Sequence, residues 1–222
     1  MRSKIFLLLL TLALLIPSLT SCKEKNENRE YVESEVVSAA KVLIEKSLIL
    51  NEIYWGDGIR YEVPANEENV KGYLPADKEH LAALEKEYGI KDLQTLKEKT
   101  REVFSQTGYN WIVSSCLTNV MGDVGIVSYA RYYQSVENET TGATGDLMVY
   151  TTARNIYKNT QNVEYIYDQM HVSGVEGEVI TVSLKVTTTG LDGETSTRDF
   201  SVELIEETDG WRLHGASYAT HY

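Results

Sequence analysis

The amino-acid sequence predicts an α+β fold, with N-terminal helices packed on one face of a curved antiparallel β-sheet. Three observations carry this. Apolar residues recur at spacings of three and four from about residue 36 to residue 120. From about residue 125 the period changes to two, in segments rich in Val, Ile, Thr and Tyr. Gly, Asn and Asp separate those segments, as turns do in a meander. Helices first and strands afterwards is the order of a layer in which helices cover one sheet face.

The elements begin with a leader. Arg2 and Lys4 precede an uncharged apolar run from Ile5 to Ile16, followed by Pro17 and the small residues Ser18, Thr20 and Ser21. This is the three-part layout of a secretory signal, and the run is shorter than the roughly 20 apolar residues that a spanning helix needs. Leu19-Thr20-Ser21-Cys22 resembles the lipobox of bacterial lipoproteins. The resemblance implies that residues 1–21 are removed and that Cys22 receives a diacylglyceryl group and becomes the mature N-terminus. Two acyl chains hold a protein on a membrane where one does so only marginally. Residues 22–30 then read as the lipidated cysteine and a polar tether, KEKNENRE, and residues 31–222 as a single α+β domain. The expected location is extracytoplasmic, lipid-anchored to the bacterial cell membrane.

Four helical stretches follow. Val36, Ala40, Leu43, Ile44, Ser47, Leu50 and Tyr54 mark one face of the first, and Gly56 and Gly58 supply positions where a positive φ can stop it. Residues 59–75 hold Pro64 and Pro75 and read as a loop or an isolated strand. Asp77 is the expected N-cap of the second helix, with Leu81, Leu84 and Tyr88 on one face and Gly89 at its end. After Asp92, the residues Leu93, Leu96, Thr100, Val103 and Phe104 predict a third helix that stops near Gly108. Tyr109, Ile112, Val113, Cys116, Leu117 and Val120 predict a fourth, closed by Gly122. Cys116 on that face reads as a small buried hydrophobe.

The strand segments are IVSYARYYQSV, DLMVYTTA, NVEYIYDQMHV, EVITVSLKVTTT, TRDFSVELIEE and WRLHGASYAT. The fourth alternates most cleanly, with Ile180, Val182, Leu184 and Val186 on one face and Thr181, Ser183, Lys185 and Thr187 on the other. GLDGE and ETDGW each supply an Asp-Gly hairpin turn.

Composition sets limits. The 222 residues less the 21 of the leader leave 201, enough for one domain with a full core. The formal charge of −12 becomes −14 once Arg2 and Lys4 are removed, which argues against nucleic acid and against electrostatic adhesion to anionic lipid. Such a balance suits a basic partner surface, and equally a soluble exported domain. With Cys22 lipidated, Cys116 is the one thiol left, so no intramolecular disulfide braces the core. The 15 tyrosines fit strands, and they also supply rigid amphipathic contact surface.

Near the C-terminus, Asp199-Phe200-Ser201-Val202-Glu203-Leu204 followed by Asp209-Gly210-Trp211-Arg212-Leu213 resembles the last hairpin of the nuclear transport factor two-like superfamily, a cystatin-like cone. More loosely, NEIYWGDGIRYE, LQTLKEKTREVFS and ARYY resemble a Gram-positive family of secreted inhibitors of cell-wall DL-endopeptidases. The first resemblance implies a pocket between the helices and the concave sheet face, and a homodimer as one assembly to expect. Its members include isomerases, dehydratases and ligand-binding domains, so the fold fixes no activity.

Enzymes of that superfamily place Asp, His or Tyr inside the cone. The candidates here are Tyr132, Tyr150, Tyr167, Asp168, His171 and His214, with Trp211 on the last hairpin as a further pocket residue. Asp168 and His171, three residues apart on a regular strand, face opposite sides and do not cooperate. His80, His171, His214 and His221 are dispersed and one thiol builds no zinc site, so the sequence carries no metal or cofactor signature. It also lacks a Gly-x-Ser-x-Gly elbow and a phosphate loop. Asn138 in NET is most simply a turn residue. Two readings follow. The first is a non-catalytic binding or adaptor domain that engages an envelope protein or cell-wall hydrolase. The second is a small-molecule carrier or pocket enzyme of the cone superfamily, and a purely structural envelope role stays open beside both.

Overall fold

In the computed structural model the described residues are 31–64, 70–152, 163–190, 193–215 and 217. The leader, Cys22 and the tether lie outside them. Helix α1 (Glu33–Trp55) begins with Glu33 and Glu35 in its first turn, where carboxylates face the positive end of the helix dipole. All seven residues of its predicted face are buried. Gly56 caps it with φ −90°, so only Gly58, at φ +78°, takes the left-handed conformation that the sequence allowed at both.

Strand β1 (Tyr73–Pro75) leads to α2 (Lys78–Tyr88). Asp77 accepts a hydrogen bond from the His80 backbone N–H at 2.7 Å, and Gly89 ends the helix at φ +72°. Helix α3 (Leu93–Val103) opens with a capping box between Asp92 and Thr95. It does not run to Gly108. Phe104 turns extended and bridges Leu213, and Ser105 caps a new helix, α4 (Gln106–Cys116), by accepting from the Gly108 N–H. Gly108 lies inside α4, where a Cβ would sit 3.4 Å from the carbonyl oxygens of Leu213 and His214. The glycine therefore lies in the first turn of a new helix and does not terminate the preceding one.

Helix α4 also stops short of Val120. The Arg131 N–H donates to the Cys116 carbonyl at 2.6 Å, and the chain turns into a two-stranded hairpin, β2 (Val120–Gly122) and β3 (Gly125–Ser128). The helical spacing of Leu117 and Val120 was fortuitous, since a short apolar run satisfies both periods.

The remaining strands are β4 (Tyr132–Asn138), β5 (Ala143–Tyr150), β6 (Val163–Glu176), β7 (Val179–Thr189), β8 (Thr195–Glu207) and β9 (Gly210–Leu213). All pairings between these strands are antiparallel, but the expected single sheet is divided: β1-β5-β4, the hairpin β2-β3, and the meander β6-β7-β8-β9. Among the described residues no ladder joins β5 to β6. Helix α1 packs on β6, β7, β9 and α3. On β7, Ile180, Val182, Leu184 and Val186 are buried as predicted and Thr188 joins them. Each fully buried Leu or Ile contributes about 1.5–3 kcal/mol relative to exposure. The residues from Tyr31 onward form one compact unit. No helix among the described residues is long and apolar enough to cross a membrane.

Candidate functional site

The residues proposed for a pocket do not converge. Tyr132 is completely buried in the core. Its hydroxyl donates to the Ile53 carbonyl at 2.7 Å and accepts from the Ile59 N–H and from Arg131 Nε, each at 3.0 Å. Burial raises its pKa, against the opposing pull of Arg131. Tyr132 thus joins β4 to the end of α1 and presents nothing to a ligand. Tyr167 lies half-buried on β6 beside Tyr165, with Lys41 Nζ 5.2 Å above its ring. Burial pushes its phenol up to about 12, with Glu45 adding to the shift. Trp211 packs half-buried against the core from β9. His214 Nδ1 lies 3.3 Å from Ser105 Oγ, a contact that links β9 to the start of α4.

Asp168 and His171 are both exposed. The regular-strand argument does not hold for them, because β6 bulges: Ile166 pairs with Lys185 and His171 with Ser183, leaving residues 167–170 opposite Leu184 alone. His171 Nδ1 lies 3.1 Å from the Gln169 carbonyl, so the ring engages the bulge and not Asp168. The bulge opens a notch of about 440 Å³ lined by Gln169, His171, Ser183, Leu184, Lys185 and Asp199. There the Lys185–Asp199 pair, at 2.8 Å, holds the Asp199 carboxyl below its usual pKa. Of the sequence-selected residues, His171 alone lines a described cavity.

A second cavity of about 460 Å³ runs between α1 and α3. Its walls include Val42, Ile49, Ile90 and Val103, with Tyr88 and Lys99 among its further lining residues. It is more apolar than the notch, and none of the predicted site residues reaches it.

Tyr150 has different company. It belongs to a cluster with Tyr73, Tyr129 and Tyr133. Tyr129 stacks on Tyr150 at 4.8 Å between ring centroids, and Tyr73 meets Tyr133 edge-on at 4.6 Å. The Tyr73 hydroxyl donates to the Ala130 carbonyl at 2.6 Å, and burial followed by the neighbouring phenols raises its pKa. Tyr129 and Tyr133 stay exposed. Immediately before them in sequence, the β2–β3 hairpin exposes Val120, Met121, Val124 and Ile126, with Val124 97% exposed at its turn. Sequence reasoning ran the fourth helix to Val120, began the first strand segment at Ile126 and left Val124 in neither, so it missed the surface. The signal was the excess of tyrosine, which does not by itself separate strand from contact face.

Among the described residues no group of three or more His, Cys, Asp or Glu is arranged to hold a metal ion. Cys116 is buried, and desolvation pushes its thiol up to about 12, so it stays protonated and unreactive at neutral pH. No protein-family profile, curated protein or solved structure matches this chain.

Proposed function

We propose that this chain is a membrane-anchored extracytoplasmic lipoprotein whose domain is a non-catalytic binding module for an envelope protein, a cell-wall hydrolase among the candidates. Its domain is read as a nuclear transport factor two-like cone. The order of helices before the β6–β9 meander and the closing Gly210-Trp211-Arg212 hairpin support that reading. The observation that carries the function is the gathering of exposed apolar and aromatic side chains on β2–β3 and the adjoining tyrosine cluster. Contiguous exposed apolar surface marks interaction sites, and tyrosines are preferred anchors there. The membrane anchor rests on the lipobox at Cys22.

The test joins the two parts. The full chain, expressed in a bacterium with a lipoprotein pathway, should incorporate a labelled fatty acid, and Cys22→Ser should not. Cross-linking in that envelope should then trap a discrete partner. A chain that takes up no lipid, or that traps nothing while folded and anchored, defeats the proposal. The apolar α1–α3 cavity favours a second reading, a carrier of small apolar molecules, since its volume lies within the range of ligand sites. Thermal-shift screening of the wild type against Val42→Ser decides that alternative.

A further inference from the structure

The α1–α3 cavity differs between its floor and its mouth. Leu50, Ile90 and Val103 are buried at its floor, whereas Val42 and Tyr88, 47% and 37% exposed, stand at its mouth. The α2–α3 turn fixes the floor: Gly89 takes φ +72°, and the Ile90 N–H donates to the Leu84 carbonyl at 3.3 Å, which seats the Ile90 side chain in the core. The apolar walls are therefore formed before any ligand arrives, as is usual for small-molecule sites.

Four charged residues also line the cavity: Glu45, Lys46, Lys99 and Glu102. Lys99 and Glu102 satisfy each other, with Nζ donating to the two carboxylate oxygens at 2.9 and 3.1 Å. The Lys99 stem runs beside the turn, since a Cβ on Gly89 would sit 3.4 Å from Lys99 Cε. Glu45 borders the Tyr167 ring, which carries Lys41 Nζ 5.2 Å above it. Near the mouth, the Tyr88 hydroxyl donates to Glu87. Lys46 differs from all of these: it is exposed, and among the described residues it has no ion pair or hydrogen bond. It shares a face of α1 with Val42, Ile49 and Leu50, at spacings of four, three and four. Its stem thus lies along the apolar lining, and its ammonium stands at the mouth with no counter-charge.

We infer that the α1–α3 cavity binds a single-chain anionic amphiphile of the fatty-acid class, its alkyl chain laid along Val42, Ile49, Ile90 and Val103 and its head group on Lys46. This inference rests on the second reading, a carrier of small apolar molecules, and adds the charge of the ligand. An uncharged head would leave the Lys46 ammonium unpaired, and a cationic one would be repelled by it. The volume of about 460 Å³ lies in the lower half of the range of small-molecule sites, about 300–1,000 Å³, which suits one alkyl chain.

The experiment photolabels the full chain, held in phosphatidylcholine nanodiscs, with three decyl probes that carry the same diazirine and end in a carboxylate, an alcohol or a trimethylammonium. Mass spectrometry of the α1 and α3 peptides reads the adducts. Saturable labelling by the carboxylate is expected, displaced by unlabelled decanoate and not by decyltrimethylammonium. Lys46→Gln should raise the half-saturation of the carboxylate about fivefold, as loss of one solvent-accessible ion pair would, and leave that of the alcohol unchanged. Lys46 is exposed, so its exchange leaves the core intact. Val42→Ser should weaken carboxylate and alcohol alike, because both lay a chain on that wall. Lys46→Gln without effect on the carboxylate, an equal shift for the alcohol, or equal competition by the ammonium compound overturns the inference while leaving the apolar-carrier reading standing. Absence of saturable labelling by any probe, or labelling confined to other peptides, defeats both.

Discussion

Replacing Tyr132 by Phe removes one oxygen atom from a site with no access to water. That oxygen serves three partners: it accepts from the Ile59 N–H and Arg131 Nε and donates to the Ile53 carbonyl. The ring remains, so packing is nearly unchanged and the loss is confined to hydrogen bonding. A buried polar group left without its partner costs about 1–3 kcal/mol. Relaxation of the Arg131 guanidinium and of the last turn of α1 recovers part of the sum, which leaves a net loss of about 3 kcal/mol. With a urea m-value of about 2 kcal/mol/M, the midpoint should fall by about 1.5 M with no change in slope. The assay is urea unfolding of residues 31–222, followed by tryptophan fluorescence and circular dichroism together. Tyr133→Phe is the matched control: Tyr133 is 39% exposed, and the change should stay within about 0.5 kcal/mol of wild type. A Tyr132→Phe protein as stable as that control would refute the reasoning, because the hydroxyl would then be dispensable to the fold.

Three further outcomes are expected. Gly58→Ala forces a side chain into φ +78° and drives its Cβ against the Arg131 guanidinium and the Tyr132 hydroxyl, so it should destabilise by more than about 2 kcal/mol; Gly177→Ala, at φ +60° with open space around it, should lose only about 1 kcal/mol in the same urea assay. Burial pushes the Glu207 carboxyl up, but hydrogen bonds from Arg101 and from the Gln106 N–H prevail and depress its pKa. Its contribution is therefore present above the unfolded value of about 4.3 and lost as pH falls through the folded one; Glu207→Gln should flatten that acid limb in thermal melts, and an unchanged limb would contradict it. Cys116 should resist a maleimide at neutral pH in the native protein and react fully in urea, and rapid native labelling would show that the thiol is not enclosed as described.

The parts of the fold legible in the sequence are those where one local signal decides the conformation. Asp77 and Gly89 bracket α2 because a short acceptor side chain and a residue without Cβ each satisfy one helix end. On β7 the alternation from Ile180 to Val186 suffices because one face is buried along its whole length. The failures occur where a distant partner decides. Gly108 reads as a stop, yet Ser105 caps a new helix that carries Gly108 in its first turn beside the end of β9. Val120 continues the α4 period, yet Arg131 takes the Cys116 carbonyl and ends the helix there. The β6 bulge leaves no local trace, since its register is set by β7 and by packing against α1. Tyr132, Tyr150, Tyr167, His171 and Trp211 were chosen for chemistry, whereas long-range packing determines which of them meets solvent.

The stretch Tyr129-Ala130-Arg131-Tyr132-Tyr133 shows how the core and the surface depend on each other. Its middle three residues are buried, and its two outer tyrosines are exposed. Arg131 lies at the C-terminal end of α1, where the helix dipole is negative and carbonyls lack intrahelical donors, so a cation there is electrostatically favoured. Tyr132 hydrogen-bonds both to α1 and to Arg131, which fixes the entry of β4. With β4 fixed, Tyr129 and Tyr133 are held outward in contact with Tyr150 and Tyr73 respectively. Stability and binding should therefore separate cleanly within five residues. Tyr132→Phe should lower the urea midpoint and leave cross-linking to the envelope partner intact, whereas Tyr129→Ala should weaken that cross-linking and leave the midpoint within about 0.5 kcal/mol of wild type. If one substitution moved both quantities together, the exposed rings would be part of the core and not a surface held by it.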